Sequence, residues 1–166
     1  MACSTVVTSL SFLTDCATLN ISQLGNQGGG VFMISLLYVS YNRIPLETAD
    51  PQVQAIVDKS VLNNKLADIT GALIFAGVHF CQFLEGPEDA VLRLLDTIRL
   101  DPRHSDIWVV HQEPASDRRF ADWSMAYTGR SEFVSGYLLE IVSASEEAER
   151  QKAVKSVISV MEEFVR

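Results

Sequence analysis

The fold of this chain is decided by residues 69–87, which read ITGALIFAGVHFCQFLEGP. Two runs rich in β-branched and aromatic residues flank Ala76-Gly77, and this pattern predicts a β-hairpin. The second run ends at Pro87, where a helix can begin. Since side chains alternate along a strand, Gln82 shares one face with two apolar neighbours. A buried side-chain amide without hydrogen-bond partners lowers stability by about 1–3 kcal/mol. The function of the chain therefore depends on which groups form hydrogen bonds with Gln82.

The composition narrows the class of protein. With 166 residues, 48% of them hydrophobic, the chain has the size and content of one globular domain with extensions. Its net charge of −8 argues against nucleic acid or an anionic membrane as a partner. Cys3, Cys16 and Cys81 are far apart and form no zinc-binding pattern, which indicates a reducing, cytoplasmic compartment. No apolar run reaches the roughly 18 residues that a membrane span requires.

Residues 1–32 differ in composition from the rest of the chain. They contain no Lys or Arg and carry the Gly-rich run GNQGGG. We expect a flexible N-terminal extension, or a segment that precedes the native product if translation begins at Met33. The sequence then predicts a cofactor-binding domain at 33–130 and a C-terminal helical cap at 131–166.

Between these limits the sequence predicts strands and helices in the order β-α-β-β-α-β-β. Outside the hairpin, the predicted strands are Met33–Ser40, Ile107–Glu113 and about Asp122–Thr128. The first helix is predicted to begin near Asp50-Pro51, with Asp50 as its N-cap, and the second helix to span Pro87–Leu100. This order predicts an α+β fold with a ferredoxin-like, five-stranded mixed sheet and two helices on one face.

The C-terminal part predicts further helices that cover the other face of the sheet. Residues 133–142 suit a short helix, and Ser143 to Glu146 have the spacing of a capping box that opens a longer one. The apolar stripe of the longer helix suits either the sheet or a second protomer, and amphipathicity alone does not choose.

Polar residues interrupt the face of the first helix that should pack inward. Ser60, Asn63 and Asn64 continue its apolar stripe. Asn is common at helix ends, so these residues suit either a helix terminus or a site for a polar ligand. On the last predicted strand, Trp123 and Met125 share one face, where both are as readily explained as core residues.

Five motifs, in the same order, resemble the BLUF family of blue-light sensors that use FAD. They are Leu37-Tyr38-Val39-Ser40, Asn63-Asn64 with Ile69-Thr70-Gly71, Phe80 to Gly86, Asp101-Pro102-Arg103-His104, and Arg119 to Met125. The resemblance covers about Ile34 to Arg130 and is closest to the short, stand-alone members. In that family the isoalloxazine ring of the flavin lies between the two helices, edge-on to the sheet.

The resemblance implies a role for each motif residue. Tyr38 and Gln82 would be the photoactive pair, with light-driven electron and proton transfer from Tyr38 through Gln82 that rearranges the hydrogen bonds around the flavin. Trp123 and Met125 would be the switching pair beside Gln82. The cofactor-binding residues implied for the polar part of the flavin are Ser60, Asn63, Asn64, Arg103 and His104. Lys59 and Lys65 are possible contacts of the diphosphate, for which the chain has no glycine-rich loop.

Two other function classes remain open from the residues alone. Arg103 and Asn64 could serve an acylphosphatase-like enzyme, and a domain of this fold could also bind a colourless regulatory ligand. No cyclase, phosphodiesterase or DNA-binding sequence follows residue 130. We therefore expect a sensor that is not an enzyme and that signals through its last strand and C-terminal helices to an unidentified protein partner or its own oligomers.

Overall fold

A computed structural model of the chain describes residues 32–130 and 134–164. The extension predicted at 1–32 lies outside the described residues except for Phe32. No helix in the described part of the chain is both long and apolar enough to cross a membrane.

The described residues form five strands and four α-helices in the predicted order. The bounds are β1 Met33–Asn42, α1 Ala49–Leu66, β2 Thr70–Phe75, β3 His79–Pro87, α2 Glu88–Arg99, β4 His104–Pro114, β5 Ala126–Arg130, α3 Ser135–Ser143 and α4 Glu147–Glu163. A short 3-10 turn at Leu46–Thr48 leads directly into α1.

One mixed sheet contains all five strands, in the order β4-β1-β3-β2-β5. β3 pairs antiparallel with β1 and β2 on its two sides, and β5 runs parallel to β2. The register places Tyr38 of β1 directly opposite Gln82 of β3. Residues directly opposite each other on neighbouring strands point to the same face of the sheet, so the strand pairing itself brings these two side chains together.

The hairpin between β2 and β3 forms where the sequence predicts it. Gly77 has a φ of 77°, a left-handed conformation that glycine adopts without steric cost. Gly71 allows β2 to approach β3 closely, because a Cβ at this position would lie 2.0 Å from the carbonyl oxygen of Phe83.

Each face of the sheet is buried in its own core. The first core packs α1 and α2 on the face that carries Leu36, Tyr38, Leu73, Phe80 and Leu84. The second core packs α3 and α4 on the face that carries Leu37, Val39, Ile74, Cys81 and Phe83. The ferredoxin-like α+β architecture, with two helices on one face and the C-terminal helices on the other, is thus confirmed.

The last strand begins later than predicted. β5 starts at Ala126, so Trp123 and Met125 precede it and do not share a strand face. A turn precedes the strand, in which the N–H of Trp123 donates to the carbonyl of Phe120 at 2.9 Å. Regular pairing with β2 begins only at Ala126.

Two predicted helix caps are also wrong. α1 begins at Ala49 with Thr48 as its N-cap and no side-chain capping bond, because the 3-10 turn supplies the entry, so Asp50 lies inside the first turn. α4 has Glu146 as its N-cap. Ser143 does not cap it, because its hydroxyl donates to the Leu139 carbonyl at the end of α3.

Candidate functional site

A buried hydrogen-bonded pair lies at the centre of the first core. The phenol of Tyr38 donates to Oε1 of Gln82 at 2.6 Å. The two residues are only 1% and 5% exposed, so water does not compete for this bond. The other end of the amide, Nε2, lies 3.6 Å from the sulfur of Met125 and donates to it. Gln82 therefore joins a phenol to a thioether through the two opposite ends of one amide.

A cleft between α1 and α2 opens onto this pair. It is lined by Tyr38, Ile56, Lys59, Ser60, Asn63, Asn64, Leu73, Gln82, Leu94, Thr97, Ile98, Asp101, Arg103 and His104. Among them are all five residues predicted to bind the cofactor and both members of the predicted photoactive pair. These come from four different elements, so the fold assembles a site that is dispersed along the sequence.

The lining has the chemistry that a flat aromatic ring with one polar edge requires. Ile56, Leu73, Leu94 and Ile98 supply apolar walls, whereas amide, hydroxyl and guanidinium groups gather at the ends of α1 and α2. Apolar walls combined with polar groups that converge on one part of the cleft are typical of cofactor sites. The residues present therefore fit the isoalloxazine of a flavin.

Arg103 is held in the cleft by Asp101. Its Nε donates to the Asp101 carboxylate at 2.8 Å, and its terminal nitrogen forms a second, shorter contact with the same group. The hydrogen bonds from Arg103 lower the pKa of Asp101 to about 2. Asp101 is thus a site residue, although the motif that contains it predicted a role only for Arg103 and His104. A guanidinium committed to a carboxylate is also a poor anion site, which disfavours the acylphosphatase-like alternative.

His104 is a neutral member of the site. Burial lowers its pKa to about 4; Asp101 partly opposes this shift and Arg103 adds to it. Its Nδ1 forms a hydrogen bond of 2.9 Å with the hydroxyl of Ser40. Its ring packs against Phe80 at 4.5 Å between centroids and meets Tyr38 edge-on at 6.3 Å. At neutral pH the imidazole thus adds a hydrogen-bonding ring, but no charge, next to the photoactive pair.

Tyr38 remains a phenol over the whole physiological range. Burial raises its pKa, and the negative charge of Asp101 raises it further. The phenolic proton is therefore present at Oη and directed at Gln82.

The structure separates the two members of the predicted switching pair. Met125 is buried and contacts Gln82, whereas the side chain of Trp123 is 45% exposed. Trp123 interacts with the sheet through its backbone, where its carbonyl accepts the N–H of Gly71 at 3.0 Å. Asn64 reaches the same segment, because its Nδ2 donates to the carbonyl of Ser124 at 2.8 Å.

The family model described as "BLUF: Sensors of blue-light using FAD" matches residues 33–126. The chain belongs to the BLUF family. FAD is the cofactor with which this family senses blue light, so the resemblance seen in the five motifs and the cofactor it implied are confirmed.

Known BLUF proteins resemble this chain in sequence and in structure. The photoactivated adenylate cyclase subunit beta of Euglena longa is 36% identical over 98 residues, which are 58% of this chain and 11% of that protein. The blue light- and temperature-regulated antirepressor BluF of Escherichia coli is 38% identical over 74 residues, which are 45% of this chain and 18% of that protein. This chain therefore matches only about a tenth to a fifth of the length of these two relatives.

Two solved BLUF structures match over most of their own length. The dark state of BlrB has 36% identity and a TM-score of 0.58, and covers 75% of this chain and 97% of its own. The ground state of BlsA has 25% identity and a TM-score of 0.65, and covers 78% of this chain and 87% of its own. These matches extend beyond the BLUF segment itself.

Proposed function

We propose that this protein is a blue-light receptor that binds FAD noncovalently in the cleft between α1 and α2 and senses its excitation through Tyr38 and Gln82. The observation that carries the proposal is the buried chain from the Tyr38 phenol through the Gln82 amide to Met125, at the inner end of a cleft suited to a flavin.

The flavin, when bound, supplies blue-light absorption and an electron acceptor. Tyr38 is placed to lose an electron and a proton, since its neutral phenol points at Gln82 Oε1 at 2.6 Å. A distance this short lets the proton move from Oη to Oε1 and return without any rearrangement of the backbone. Gln82 suits the relay because one amide contains both a donor and an acceptor. The lasting effect of light would be a different hydrogen-bond arrangement, with no new covalent bond.

The remaining residues would hold the cofactor. Ser60, Asn63 and Asn64 on α1 would bond its polar parts from one side, and Arg103 with His104 from the other. Asp101 would keep the Arg103 guanidinium oriented. Lys59, which lines the outer cleft, is placed to meet the diphosphate.

The signal would leave through the segment that follows β4 and reach the C-terminal helices. We assign residues 33–130 to the light-sensing domain and 131–166 to a helical cap that passes the change to a partner protein or to a second copy of the chain, in the cytoplasm. Coupling of about 1–3 kcal/mol would bias an existing equilibrium of the helices. In this proposal the chain has no catalytic output of its own.

The test is reconstitution with FAD followed by blue illumination. The expected result is a yellow protein whose flavin absorption shifts slightly to the red and returns in the dark. Gln82→Leu should bind FAD and lose this shift, because leucine cannot bridge phenol and flavin. Gln112→Leu, a matched change at an exposed position of β4, should retain it. A protein that stays colourless with FAD would refute the proposal.

A further inference from the structure

The connection between β4 and β5, residues 115–125, touches both cores. Its C-terminal end lies in the first core, where Met125 accepts the hydrogen bond from Gln82. Its middle lies in the second core, where the ring of Phe120 is fully buried and its centroid lies 5.3 Å from that of the Phe83 ring. One short stretch of backbone thus links the face of the sheet that carries the photoactive pair to the face that carries α3 and α4.

A buried carboxylate from the sheet fixes this connection. Glu85 of β3 is 0% exposed and accepts hydrogen bonds from the backbone N–H of Phe120 at 2.7 Å and of Arg119 at 2.9 Å. The hydroxyl of Thr70 donates to the same carboxylate at 3.0 Å. A carboxylate buried so completely requires such donors, and here two of the three are consecutive backbone amides of the connection. None of the roles proposed above uses Glu85.

The side chain of Arg119 points the other way, to α4. Its guanidinium forms an ion pair of 2.7 Å with Glu162, close to the end of that helix. Arg119 is 54% and Glu162 28% exposed, so solvent partly screens the pair, and it can break and re-form at little cost in free energy. Arg119 therefore has its backbone anchored to β3 and its side chain attached to the C-terminal helix.

We propose that Glu85 is a positioning residue that anchors the Arg119-Phe120 backbone, and that the Arg119–Glu162 ion pair transmits a light-dependent shift of Met125 to α4. This inference rests on the proposed function, since it needs a light-dependent change at Gln82. The hydrogen bonds to Glu85 fix one end of the segment that moves with Met125. The movement then reaches α4 through the guanidinium of Arg119, six residues before Met125, rather than through β5.

Hydrogen exchange of the FAD-bound full chain, in the dark and under blue light, tests the route. The wild type should show a light-dependent change of amide exchange in α4. Arg119→Gln and Glu162→Gln should each reduce that change at least twofold while the red shift is retained. Their combination should reduce it no further than either alone, and the exchanged pair Arg119→Glu with Glu162→Arg should restore it.

Two controls separate the ion pair from general loss of charge. Glu163→Gln changes the neighbouring, exposed carboxylate of α4, and Arg150→Gln removes an ion pair within α4, with Glu147. Both should leave the light-dependent change of α4 as in the wild type.

Glu85→Gln places an NH2 group against backbone N–H donors, so the amides of Arg119 and Phe120 should exchange at least tenfold faster in the dark.

The outcomes distinguish the two levels of the proposal. A wild type without a red shift would overturn the proposed function and this route with it. A wild type with a red shift but no change in α4 would overturn the route alone. The route would also be overturned if Arg119→Gln and Glu163→Gln showed the same light-dependent change of α4, or if the dark exchange of Arg119 and Phe120 were unaffected by Glu85→Gln.

Discussion

The buried imidazole of His104 should make the stability of the protein depend on pH in a way that can be calculated. Its pKa is about 4 in the folded protein, against an ordinary value of 6.5. Because the folded value is the lower one, the unfolded chain binds the proton more readily between these two limits. The free energy of unfolding therefore falls as pH falls through that window and becomes independent of this group below about pH 4.

The expected loss from His104 alone is about 2 kcal/mol at pH 5 and about 3 kcal/mol at pH 4, relative to pH 8. His104→Gln removes the titration but keeps groups that can bond Ser40. Urea unfolding of the flavin-free protein at half-unit steps of pH would measure the difference between the two proteins. The quantity to compare is the slope of the unfolding free energy against pH in the two proteins. The substitution also changes packing, but by the same amount at every pH, and the other titrating groups are common to both proteins. Parallel profiles for wild type and His104→Gln down to pH 5 would refute the reasoning.

Further substitutions test the proposed roles in the cleft. Tyr38→Phe should keep bound FAD and lose the red shift, because the aromatic ring stays and the hydroxyl is removed. Tyr41→Phe, also on β1 but outside the cleft, should behave as wild type. A full red shift in Tyr38→Phe would exclude Tyr38 as the electron donor. Asn64→Ala and Arg103→Ala should each weaken FAD binding by about 1–3 kcal/mol, measured by fluorescence titration, and unchanged affinity in both would place the polar edge of the flavin elsewhere. Met125→Ala should keep the red shift but diminish the light-dependent hydrogen exchange in residues 134–164, and an undiminished response would remove Met125 from the route.

The sequence predicted the sheet well because its central strands are buried on both faces. β1, β2 and β3 are short, predominantly apolar runs bounded by turn residues, as is typical of strands covered on both faces. The start of α2 also followed from Pro87 and the acidic residues after it, and the observed helix begins one residue later. In these elements local preference and tertiary packing agree.

The errors fell where a particular hydrogen bond, which the residue pattern does not reveal, decides the local structure. Residues 122–128 alternate like a strand, yet the first four of them lie in a connection that Glu85 holds from a distance of about 35 residues along the chain. Ser143 has the spacing of a helix cap, but its hydroxyl bonds the preceding helix. The sequence did not predict the pairing of Arg103 with Asp101, because helices commonly end before an Asp-Pro step and an Asp at this position needs no partner to be explained.

The amide of Gln82 has two ends of opposite polarity, and its two neighbours respond to them differently. A phenol oxygen both donates and accepts, whereas a thioether sulfur only accepts. If the amide turned end for end, its NH2 group would face Tyr38, which can accept it, but its carbonyl oxygen would face Met125 with no hydrogen between two acceptors. Tyr38 would retain a hydrogen bond to the amide in both orientations, as donor in one and as acceptor in the other, whereas Met125 would retain none. The three residues thus form an asymmetric detector, in which the tyrosine tolerates both amide orientations and the sulfur registers only one.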